Sequence, residues 1–169
     1  MSGRGPDTVI RPALTERRTA PEGAKELTMN PSDAADPDLV TLPSAHGATE
    51  TVERLKALLA RKGIEVFAPI DHAAGAEKVG LSLPPTQVLI FGNPKAGTPL
   101  IQGRQPIGLD LPLRVLVWQG ESGKVWLTYW RVEDLARRHH VTGHDEAVKA
   151  LDDGLAGLAR AAIAKESGR

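Results

Sequence analysis

The residues able to do chemistry fall in three short polar stretches. They are Asp71 and His72 in "APIDHAAGA", Asn93, Lys95 and Thr98 in "FGNPKAGTPLIQ", and Asp110 in "GLDLPL". A carboxylate beside an imidazole can orient a general base, so Asp71 and His72 are the candidate catalytic pair. An ammonium close to an amide and a hydroxyl at a helix start can hold an oxyanion, so Asn93, Lys95 and Thr98, with Asp110 as an acid, are the candidate ligand-binding residues. If the strand ends that carry these groups converge, they make one site with an acid, a base and an amine. Each group also has a structural role open to it. Asp71 can cap a turn into "HAAGA", Asn93 can cap a helix, and Asp110 can hold a turn.

An apolar run followed by glycines, a lysine and a threonine invites comparison with a phosphate-binding loop. That loop needs Gly, four residues, Gly, Lys, then Ser or Thr. Gly92 and Gly97 have the right separation, but Thr98 follows Gly97 directly and Lys95 lies inside the loop. The lysine must leave the first helical turn to reach the phosphates, so the displacement excludes the motif. Asn93-Pro94 reads instead as a helix entry, with Asn as N-cap and Pro at the first helical position. Thr98-Pro99 repeats the pair and predicts a broken or restarted helix.

His139, His140 and His144 have the look of a metal cluster, since His140 and His144 are four apart. "VTG" lies between them, and a break there removes the shared helical face that such ligation needs. They are expected to be surface histidines, and no metal site is expected. Neither HExxH nor GxSxG occurs.

These groups must be positioned by a fold, and the bulk composition bounds it. The 169 residues suffice for one domain with a core and tails. Lys plus Arg equals Asp plus Glu, so there is no chain-wide basic field for nucleic acid. Cysteine is absent, which excludes disulfides and thiolate sites. No apolar run approaches the roughly 18 residues of a membrane span, and no secretory core opens the chain. The expectation is a cytoplasmic protein. No cofactor is specified.

Residues 1–37 mix charges with Pro, Gly and Ala and carry too few large apolar groups to offset ordering, so they are expected to be a disordered tail. A single domain is expected over 38–165, with a short tail at 166–169. "DLVTL" predicts a strand. "ATETVERLKALLARKG" predicts a helix, with Val52, Leu55, Leu58 and Leu59 on one stripe and Gly63 as its left-handed end. "IEVFAPID" alternates, with Ile64, Val66, Ala68 and Ile70 on one face; Pro69 argues for an edge strand or a bulge. "TQVLIFG" predicts a buried strand, and "LPLRVLVWQGESGKVWLTYW" a hairpin. A terminal helix carries Val148, Leu151, Leu155, Leu158 and Ala162 on its stripe, with Thr142 and Asp145 spaced as a capping box.

The segments "IDHAAGA", "IFGNPKAGTPL" and "LDLPLRVLVW", within a similarity covering about Leu39 to Val141, closely resemble the bacterial and archaeal domain-of-unknown-function family 302. The resemblance implies a compact two-layer α/β sandwich, dimeric in relatives, with no established activity. Family members continue after the tyrosine with Asn or Arg and then Asp-Pro, where this chain has "WRVED".

The expected fold class is therefore α+β: a two-layer sandwich with a largely antiparallel sheet of about five strands and helices on one face. Both faces of the hairpin are apolar, so the uncovered face should meet a partner, most simply an identical subunit. Three functions follow as expectations. The first is a homodimeric module holding a small anionic ligand near "FGNPKAGT". The second is an enzyme using Asp71 and His72, with Lys95 holding an anion. The third is a partner-binding domain acting through its apolar sheet face.

Overall fold

Five short apolar runs pair into one sheet. β1 (Leu39–Pro43), β2 (Glu65–Asp71), β3 (Thr86–Gly92), β4 (Leu113–Gln119) and β5 (Val125–Trp130) lie in the order β1-β5-β4-β3-β2, every neighbouring pair antiparallel. The helices are α1 (Ala48–Arg61), α2 (His72–Glu77), α3 (Pro94–Gly103), α4 (Val132–Arg138) and α5 (Asp145–Ile163), with a 3-10 turn over Gln105–Leu109. This computed structural model describes residues 36–165. The expected tails fall outside them except for Asp36 and Pro37. The architecture is the expected α+β sandwich.

One face of the sheet builds the core. Leu89 and Phe91 of β3, Val115 and Val117 of β4, and Leu127 and Tyr129 of β5 are buried there against Val52, Leu55 and Leu59 of α1 and Leu155, Leu158 and Ala162 of α5. The stripe read along α1 is the stripe that packs, except that Leu58 is only partly covered. Gly63 follows the end of α1 at φ 63°, the left-handed turn that a β-carbon would oppose.

The registers assign the opposite face. Pro43, Trp126, Trp118 and Thr86 form one row across four strands. Thr41, Thr128, Leu116, Val88 and Ile70 form the next across all five. Leu39 pairs with Trp130, and Arg114 with Ile90, in a third. His72, the first residue of α2, and Leu135 and Arg138 of α4 stand beside these rows, and Trp118, Trp126 and Trp130 are half-buried. The indoles receive rim contacts: Lys124 Nζ sits 4.3 Å from the Trp126 ring centre and the Arg138 guanidinium 4.9 Å from that of Trp130.

Three local expectations are corrected. β2 pairs at its edge, but its register shifts between Val66 and Ala68, leaving Phe67 as the extra residue. Val66 pairs with core residue Phe91, whereas Ala68 and Ile70 pair with Ile90 and Val88 of the other face. The bulge thus breaks the simple alternation, and Pro69 was its signal. α3 does not restart at Pro99 but runs through it. Fully buried Leu100 follows Pro99, and burying a leucine, worth about 1.5–3 kcal/mol, offsets one lost ladder bond. Thr142 makes no capping box. Gly143, at φ 75°, turns the chain, and α5 starts after His144 with no side-chain cap.

Candidate functional site

The segment "FGNPKAGT" enters α3 through Asn93. Its side-chain oxygen accepts from Lys95 N–H at 2.9 Å. Its carbonyl accepts from Ala96 N–H at 2.9 Å and Gly97 N–H at 3.0 Å. Pro94 has no N–H to offer. The first turn of α3 therefore has its donors satisfied from within, which leaves an approaching anion none of the free N–H groups that make helix starts attractive.

Beside this entry lies a cavity of about 250 Å³. Gly92, Asn93, Gly97 and Thr98 form one wall. Phe67 of the β2 bulge, Ile101 of α3, Leu111 and Pro112 before β4, and Leu151 of α5 form the rest. None of its lining residues carries a charge, and Lys95 is not among them.

A second, larger concavity of about 410 Å³ lies on the uncovered sheet face. Val88, Leu116, Thr128 and Trp130 form its floor, and His72, Asp110 and Arg114 stand at its margins. Asp110 Oδ2 is 2.6 Å from His139 Nε2, joining the turn before β4 to the end of α4. The His139 ring is 13% exposed, so it is not the surface histidine expected from its spacing. Arg114 Nη2 donates to the Leu109 carbonyl at 2.5 Å. Tyr129, which faces the core from β5, has its phenol pushed up by burial and by the nearby Asp152 carboxylate.

The candidate residues are thus divided among separate places. Asn93 and Thr98 share the smaller cavity, and His72 and Asp110 share the larger. Asp71 is engaged on both oxygens: Oδ1 accepts from Ala74 N–H at 2.9 Å, capping α2, and Oδ2 accepts from Gln87 Nε2 at 2.9 Å. Asp71 pairs with Gln87 at the start of β3, whereas Lys95 follows Gly92 at its end. Five strand steps, about 17 Å, separate those points. The two groups cannot act on one small ligand. Among the described residues no three His, Cys, Asp or Glu side chains gather as a metal site.

Phe67 and Leu111 were not singled out from the sequence, Leu151 was read only as part of the α5 stripe, and His139 only as a surface histidine. Pro69 signalled the bulge that brings Phe67 to the cavity. The Asp110–His139 pair spans 29 residues and has no local signature.

The family model described as Domain of unknown function DUF302 matches residues 40–158. A Brucella suis biovar 1 protein named "Fluoride-specific ion channel FluC 1" is 49% identical over 120 residues, covering 70% of this chain and 47% of that protein. A Brucella melitensis biotype 1 protein named "Fluoride-specific ion channel FluC 2" is also 49% identical over 120 residues, covering 44% of its own length. The chain spans about half the length of the curated relatives it matches. Among solved structures, an uncharacterized conserved DUF302 protein from Bacillus stearothermophilus superimposes with a TM-score of 0.67 at 21% identity, over 74% of this chain and 98% of that one. This likeness supports the fold described above.

Proposed function

The chain belongs to the family Domain of unknown function DUF302, and from that premise we propose that it works as a homodimeric binding module whose two copies meet through the uncovered sheet face. The observation that carries this reading is the continuous row Thr41, Thr128, Leu116, Val88 and Ile70, flanked by Trp118, Trp126 and Trp130, with α2 and α4 reaching only its margins at His72 and Leu135. Ile70 is 40% exposed. Five strands spaced about 4.8 Å, each about 20 Å long, present roughly 500 Å² of footprint. With side-chain relief this is of the order of the about 800 Å² per partner that stable interfaces bury. An identical subunit supplies a matching apolar surface by symmetry. The test is sedimentation equilibrium of the full chain. The expected mass is that of a dimer, and Leu116→Lys, a charge at the middle of the face, should return it to monomer.

A second reading is that the module also holds a small ligand beside "FGNPKAGT", as an anion near Asn93, Lys95 and Thr98 or as a molecule in the adjoining cavity. The cavity favours the latter. A shared catalytic site for Asp71, His72 and Lys95 is disfavoured by their separation. No helix among the described residues is long and apolar enough to cross a membrane. We therefore assign the shared stretch of the Brucella relatives to a domain that accompanies the channel they are named for, with the channel in the portion this chain does not match.

A further inference from the structure

We infer that the cavity between the β2 bulge and the start of α3 binds a small neutral molecule with a ring-like apolar body and a single hydrogen-bonding end. This rests on the reading of the Gly92–Thr98 segment as a ligand site, and it replaces the expected anion with an uncharged ligand.

Size sets the first constraint. A dry apolar cavity of about 150 Å³ accepts benzene. The present space of about 250 Å³ has room for a bicyclic ring or a substituted single ring.

Chemistry sets the second. Phe67, Ile101, Leu111, Pro112 and Leu151 give hydrocarbon walls. The polar groups at the lining belong to Asn93 and Thr98, both on the α3 side. An ionised ligand would shed water here and gain neither a charged wall nor a free helical N–H. Asn93 and Thr98 are exposed at the mouth, so a charge there would keep part of its water yet gain no protein partner, whereas a hydroxyl or amide is satisfied by one. Thr98 Oγ1 can serve as that partner, since a hydroxyl both donates and accepts.

The third observation is Phe67 itself. The bulge puts this ring at the cavity rather than in the core, and it is 44% exposed. An aromatic ring left open beside an apolar hollow gains by being covered, at about 25 cal/mol per Å² of apolar surface removed from water.

Glycines keep the space open. A β-carbon at Gly92 would stand 3.4 Å from Phe67 Cε2 and 3.5 Å from Pro112 Cβ. At Gly97 it would meet only Leu111 Cδ1, at 4.0 Å. Alanine is therefore accommodated at position 97, and a longer side chain there fills the cavity.

The test is isothermal titration of the full chain with 2-naphthol, 2-naphthoate and inorganic phosphate at neutral pH, with amide shifts to locate binding. 2-Naphthol is expected to bind at least ten-fold tighter than 2-naphthoate and to shift the amides of Gly92, Gly97 and Thr98. Gly97→Leu should weaken it at least ten-fold with the melting curve preserved, and Gly97→Ala less than three-fold. Phe67→Ala, a change at a partly exposed position, should weaken it likewise and keeps the test decisive if Gly97→Leu does not fold. No binding of 2-naphthol, or binding indifferent to both Gly97→Leu and Phe67→Ala, overturns the inference. If 2-naphthoate or phosphate binds tighter and Lys95→Ala abolishes it, the neutral ligand falls but the segment stands as an anion site. If none of the three binds, both readings fall.

Discussion

The indole N–H of Trp118 donates to Thr128 Oγ1 at 2.9 Å, in the middle of the uncovered sheet face. Thr128 Oγ1 also lies 3.1 Å from Thr41 Oγ1 on the next strand. The Trp118 ring stacks on Trp126, with centres 6.2 Å apart and planes at 25°. The Trp118 indole N–H and the hydroxyls of Thr128 and Thr41 thus satisfy one another across three strands. A partner surface can cover them without stranding a donor, which would otherwise cost about 1–3 kcal/mol per group.

Thr128→Val should expose that dependence. The indole N–H loses its acceptor and Thr41 its partner. A loss of about 1 kcal/mol in unfolding free energy is expected, read by denaturant titration, together with weaker self-association. A variant as stable and as associated as the parent would show that the Trp118–Thr128–Thr41 chain has no part in the face.

Asp71→Ala and Asn93→Ala each remove an N-cap, of α2 and α3 respectively. Each should lower stability by about 1 kcal/mol. Asp71→Ala also frees Gln87, so its loss should be the larger of the two. Neutral substitutions, measured the same way, would contradict the assignment of these residues to capping.

Asp134 gives the fold an acid-sensitive clasp. Burial alone would raise its carboxyl, but hydrogen bonds from Arg131, at 2.7 Å, and from Arg137 outweigh it and hold the group below the usual carboxylate range. Arg137 also reaches Asp38 at 2.8 Å, tying α4 to the start of β1. A carboxylate whose native pKa is depressed stabilises the fold above its unfolded value. That contribution disappears as pH falls from the ordinary carboxylate range through the lower native value. Asp134→Asn should therefore lower stability at neutral pH and flatten the acid limb of a stability-versus-pH curve. An unchanged acid limb would show that the clasp does not contribute.

The Brucella comparison yields a fourth expectation. If the channel lies in the portion of those relatives that this chain does not match, the chain alone, reconstituted with liposomes, should give no fluoride efflux. Efflux above the protein-free control would move the channel into the shared stretch.

Much of the fold was legible because its elements obey local rules. The alternation of β4 and β5 placed Leu116, Trp118, Trp126 and Trp130 opposite Val115, Val117, Leu127 and Tyr129, which is where they lie. The stripes of α1 and α5 named most of their buried residues, with Leu58 and Leu151 only partly covered. The candidate site was less legible because it depends on relations between strands. Asp71 ends β2, His72 follows it, and Asn93 and Lys95 follow β3, but β2 and β3 are antiparallel, so the two pairs come out at opposite ends of the sheet. Ala68 and Ile70 left the face of Val66 because one bulged residue, Phe67, changes the parity of all that follow. His139 found Asp110 through the packing of α4, a tertiary contact that no spacing announces.

The central claim is that the tryptophan-bearing sheet face is buried against a second copy of itself. Isotope-filtered NMR on a mixture of labelled and unlabelled chain tests it most directly. The account predicts intermolecular contacts from the methyl groups of Val88, Leu116 and Ile70 to the indole protons of Trp118, Trp126 and Trp130. A sample that is dimeric by mass but shows its intermolecular contacts elsewhere, or one that stays monomeric at millimolar concentration, would contradict it.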